Sequence, residues 1–231
     1  MYEWDDILIV GDSWCSERHG LDHWPNLLLK KLTEISIGIP RGQGFPGCSW
    51  WSTRNKLFDE LKIKPAKVII IIHTESTRIP SDDNSPMTVN MAFRTIAVNE
   101  KWNTQKTKLK AKAAAEYYSY LYSANFHMWA ERKWFEELDN FLISHENAKI
   151  IHLYGHRTTI DNSYEFRMGV TVKPHLFYYF ERNTENIKYP NHMDIINNHK
   201  LALCLKDMIL NYPGHGYVHR ERLFENDEKD Y

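Results

Sequence analysis

The 231-residue chain has little cysteine: Cys15, Cys48 and Cys204 are all it contains. A sparse, odd set does not describe a disulfide framework, so folding in a reducing compartment is expected. Charge of one sign is not in excess either. With 29 basic and 30 acidic residues the formal net charge is −1, which leaves no general attraction to nucleic acid or to an anionic membrane. No apolar run approaches the roughly 20 residues of a membrane-spanning helix. The start, MYEWDD, is acidic and the following ILIV too short for a signal peptide, so synthesis in a cytoplasm without a leader is expected. No internal repeat is visible. The histidine pairs His152/His156 and His215/His219 have four-residue spacing, but neither lies on a convincing helix, so no zinc site is expected. No cofactor motif is found.

Against these absences stand short, continuous apolar runs and long amphipathic ones. Residues 7–10 (ILIV), 68–72 (VIIII) and 149–154 (KIIHLY) read as strands buried on both faces. Residues 34–39 (EISIGI) read as a second strand ahead of a loop over 42–47, and residues 176–180 (LFYYF) as a strand-like patch. Helices are expected over 24–32, with Pro25 tolerated in the first turn, over 50–61, over 109–143 as one long helix or two, and over 194–210 with Asp194 as cap. Polar stretches near 79–107 and 156–188 read as insertions, and 221–231 as a charged tail. Strands alternating with helices predict one domain over 1–220, a three-layer α/β/α sandwich on a parallel, flavodoxin-like sheet. Ligands of such sheets bind at the carboxyl ends of the strands, which directs attention to the loops starting at Gly11, Arg41, His73 and Gly155.

Gly11-Asp12-Ser13 follows the first strand directly. There a serine meets outward-pointing N–H groups at the start of a helical turn, which can hold the negative oxygen formed when a carbonyl is attacked. An isolated GDS marks no more than a capped turn. Here the stretch ILIVGDSWCSE resembles the first block of SGNH (GDSL-type) hydrolases, and YPNHM followed by NHKLA (residues 189–193 and 198–202) resembles their last block. The resemblance implies Ser13 as nucleophile and His192 as its base, and it covers both ends of the chain and the strand order between. GDSW with Trp24-Pro25 and Trp50-Trp51 is similar to SGNH-type proteins encoded by tailed bacteriophages, which implies a virion location as one outcome.

The same resemblance implies an oxyanion hole from the N–H of Ser13 and of Gly47, with Gly44 in reserve. The third block departs from the family: Glu75 stands where an asparagine amide is expected, and an ionised carboxylate there repels an oxyanion. Thr74 or His73 replaces it as donor if the register shifts by one. Tyr189 stands where the family places its aspartate, which leaves a Ser-His dyad. Cys15 and Cys48 flank the serine loop and read as packing residues; the basic run over 106–112 reads as a solvated helix face. The reading is an esterase cleaving a small carboxylic ester through an acyl-enzyme. An O-acetylated carbohydrate suits the aromatic content (13% of residues). The other reading is a non-catalytic SGNH-fold module for binding or structure, for instance in a virion. The oligomeric state stays open.

Overall fold

The computed structural model describes residues 2–16, 20–33, 39–44, 47–80, 87–89, 105–155, 164–173, 176 and 195–219. The apolar runs form the middle of a parallel sheet. Ile7–Gly11 (β1), Val68–His73 (β3) and Lys149–Tyr154 (β4) lie side by side, with Ile7 opposite Val68 and Val68 opposite Lys149. Arg41–Gly44 (β2) flanks β1, while Val170–Lys173 (β5) and Gly216–His219 (β6) extend the other side, giving the order β2-β1-β3-β4-β5-β6. Every pairing is parallel.

Side chains alternate along each strand, so the central strands feed two cores. Ile7, Ile9, Ile70 and Ile72 meet Trp24–Leu32 (α1) and Ile195–Leu210 (α5). Leu8, Val10, Ile69 and Ile71 meet Trp50–Ile63 (α2) and Ala124–Leu142 (α4). Gln105–Glu116 (α3) runs into a π-helical turn, Tyr117–Leu121, and stops before Ser123, whose hydroxyl caps α4 by accepting from Phe126 N–H. The expected segment 109–143 is thus two helices. Among the described residues no helix is long and apolar enough to cross a membrane.

The sheet departs from the sequence expectation at its edges. The second strand is Arg41–Gly44, overlapping the segment 42–47 expected to be loop, and residues 34–38 lie outside the described residues. Its glycines answer to contact: a Cβ on Gly44 would sit 1.8 Å from the Asp12 carbonyl oxygen. β5 lies within the stretch expected to be an insertion, and β6 follows the helix expected to be the last regular element. Leu176, placed in a strand-like patch, is helical and buried, and 177–180 lie outside the described residues. Of the segment 79–107, an antiparallel bridge between Ile79 and Met87 is described. The tail 221–231 lies outside.

Candidate active site

The first connection, through α1, runs from β1 to its neighbour β2, and the second, through α2, returns past β1 to β3. The helices leave on opposite faces, so a crevice opens between the carboxyl ends of β1 and β3, where ligands of such sheets bind. Ser13 emerges from β1 and Thr74 from β3 at this point.

Ser13 opens a single 3-10 turn, Ser13–Cys15, and is partly exposed. No hydrogen bond among the described residues engages its hydroxyl. The turn is held by the residue before it. The Asp12 carboxylate, fully buried, accepts from Trp14 N–H at 3.1 Å, Thr74 Oγ1–H at 2.9 Å and Arg78 Nη1–H at 2.8 Å. Arg78 also donates to the Cys48 carbonyl (3.1 Å) and to Glu75 Oε2 (3.3 Å). Burial disfavours the Arg78 charge, yet Asp12 and Glu75 outweigh it and raise the guanidinium pKa. A buried pair of this kind needs such added hydrogen bonds to offset desolvation. Glu75, where a neutral amide was expected, thus stands beside the Arg78 guanidinium, 3.3 Å from its Nε.

Gly47 lies in the turn entering α2 with φ of +76° and open space beyond its α-carbon. The next residue fastens this turn to β1, since Cys48 Sγ–H donates to the Gly11 carbonyl at 3.1 Å. Gly44 instead packs under Asp12, too close for any side chain. The Thr74 hydroxyl spends its one hydrogen on Asp12 and is buried, so only a backbone N–H is left there to meet an oxyanion. His73 turns away into an aromatic cluster, its Nε2 3.0 Å from His152 Nδ1, and burial pushes its pKa well down. Cys15 and Cys48 are buried, and none of the three cysteines is in a disulfide. Burial, then Asp12, pushes the Cys15 thiol well up, opposite to what a thiolate nucleophile needs.

His192, Tyr189 and Asp194 lie outside the described residues. The helix that follows them is tied to the serine turn. Trp24 Nε1–H donates to the Trp14 carbonyl at 2.6 Å, and Trp24 N–H donates to Asn198 Oδ1 at 3.0 Å. Two hydrogen bonds thus link the residue after Ser13 to the first turn of α5, six residues beyond His192. Among the described residues no group of three His, Cys, Asp or Glu side chains is placed to hold a metal. No protein-family model, curated protein or solved structure matches the chain.

Two residues escaped the sequence reading. Arg78 sits in a polar loop, with nothing in its spacing to show that it would be buried against Asp12. Glu131, on α4, is buried with no partner for Oε2 among the described residues, beside Thr53, His73 and Thr74 in a space too narrow for water. Burial pushes its pKa from 4.5 to about 9. Between those values the unfolded chain releases a proton that the native state keeps, so stability falls as pH rises. From pH 7 to 8.5 the wild type should lose about 1.4 kcal/mol per pH unit through this group. Glu131→Gln should remove that slope in urea denaturation; equal slopes in the two proteins would show that Glu131 ionises normally.

Proposed function

We propose that the chain is a serine esterase of the SGNH hydrolase type. The observation that carries this reading is the placement of Ser13 at the β1/β3 crevice with the first turn of α5 hydrogen-bonded to the same turn through Trp24. That supports the sequence resemblance, which needs the last block beside the first. In this mechanism Ser13 Oγ attacks the ester carbonyl while His192 takes its proton. The N–H groups of Ser13 and Gly47, with that of Thr74, hold the tetrahedral oxyanion. The alcohol leaves with the proton from His192, and water, deprotonated by the same imidazole, releases the acid. No cofactor or metal enters these steps.

A fluorophosphonate probe tests the reading. It should form one adduct, mapped to Ser13 and abolished by Ser13→Ala. An unlabelled Ser13 would instead favour the second reading, a non-catalytic SGNH-fold module used for binding or structure, for instance in a virion. Three features favour that alternative: Glu75 in place of a hole-forming amide, Tyr189 in place of the family's aspartate, and the Thr74 hydroxyl already committed to Asp12.

A further inference from the structure

The helix α4 carries two adjacent stripes. One, including Glu131, Phe135 and Leu138, is buried against the sheet. The other presents Phe126, Trp129 and Lys133, spaced three and four residues apart and therefore on one face. This second stripe and the start of α2 enclose a groove of about 410 Å³, a volume typical of small-molecule sites.

Its floor is Trp50 stacked on Trp134, with centroids 6.2 Å apart. Its walls are flat rings open to solvent. Trp129 is 57% and Trp51 43% exposed, and Phe126 stacks beside Trp129 at 6.0 Å. Charged groups are interleaved with the rings: Lys133, Glu137 (bridged to α2 by Arg54, Nε–H to Oε2 2.7 Å) and Arg78. Arg78, which lines the groove, also holds the carboxylate of Asp12, the residue before Ser13.

We infer that this groove is a carbohydrate-binding cleft that presents an acylated glycan to Ser13, with the ester-bearing ring at the Arg78 end. The ligand class follows from the lining. A pyranose ring has C–H faces that are weakly positive and stack on the negative faces of aromatic rings, while its equatorial hydroxyls meet charged donors and acceptors at the rim. An acyl chain needs an enclosed aliphatic channel; here the aliphatic residues are Ile79, Pro80 and Ala130 on an open groove. The ring orientation rests on the esterase reading, whereas the ligand class does not.

The test uses the full chain carrying Ser13→Ala, so that binding is read without turnover. Chitotriose, cellotriose and xylotriose are each titrated at millimolar concentration by saturation-transfer NMR and calorimetry. At least one should bind, with saturation strongest on the ring C–H protons. Trp129→Ala should weaken it at least tenfold while the melting temperature stays unchanged, and Trp129→Phe should restore most of the affinity. Binding of none of the sugars, or equal binding by Trp129→Ala, overturns the inference. So does a groove that takes up anilinonaphthalene sulfonate, in a Trp129-dependent way, and ignores the sugars, because that marks an acyl or other apolar site. Labelling of Ser13 without sugar binding would sink this inference alone. Trp129-dependent sugar binding without labelling would sink the esterase reading and keep the cleft.

Discussion

Ser13→Ala is expected to lower hydrolysis of p-nitrophenyl acetate by about a thousandfold or more, because one catalytic unit loses its nucleophile. His192→Ala should cost a similar factor. The double variant should lose little beyond either single one, since an imidazole with no hydroxyl to deprotonate has nothing further to contribute. Stability should change by no more than about 0.5 kcal/mol in Ser13→Ala, as the hydroxyl is partly exposed and unengaged among the described residues. A drop in rate with unchanged melting temperature separates chemistry from folding. Undiminished hydrolysis by Ser13→Ala would reject Ser13 as nucleophile, and strictly additive losses would reject the pairing with His192.

Asp12→Asn should be the most destabilising single substitution near the site. Its amide cannot balance the guanidinium of Arg78, which is itself buried. Removing one member of a buried ion pair leaves the other uncompensated and costs about 3–5 kcal/mol. At roughly 2–4 °C per kcal/mol for a chain of this size, the melting temperature should fall by roughly 6–20 °C. Glu75→Gln provides the contrast. That carboxylate is 37% exposed and only 3.3 Å from Arg78 Nε, so its loss should cost less than about 1 kcal/mol. Replacing both partners, Asp12→Asn with Arg78→Met, should recover part of the loss, because it removes the stranded charge. Equal costs for Asp12→Asn and Glu75→Gln would mean that the Asp12–Arg78 pair does not hold the serine turn.

The central strands were legible because each is a continuous apolar run that can satisfy itself only by burial on both faces. Residues 7–10, 68–72 and 149–154 therefore appear where periodicity put them, side by side and parallel. α1 was legible to the residue, and GDS marked the turn at the carboxyl edge. The edge strands carried no such signal. Arg41–Gly44 is a strand of glycine and polar residues because it must press against the backbone of Asp12, and Gly216–His219 pairs, among the described residues, with one neighbour. Their strand character comes from a partner distant in sequence, so no local pattern announces it.

The same division holds for the site. Sequence alone marked the candidates for the proposed chemistry: a serine after a buried strand, a glycine in the turn entering α2, a histidine ahead of the final helix. Only the tertiary structure decided how they are set. It buried Arg78 against Asp12, spent the Thr74 hydroxyl on that carboxylate, turned His73 into an aromatic cluster and left Glu131 Oε2 without a hydrogen-bond partner among the described residues. The physical reason is that burial and charge pairing join residues far apart in the chain, 66 positions in the case of Asp12 and Arg78, and the free energy of an ionisable group depends on those neighbours rather than on the residues beside it in the chain.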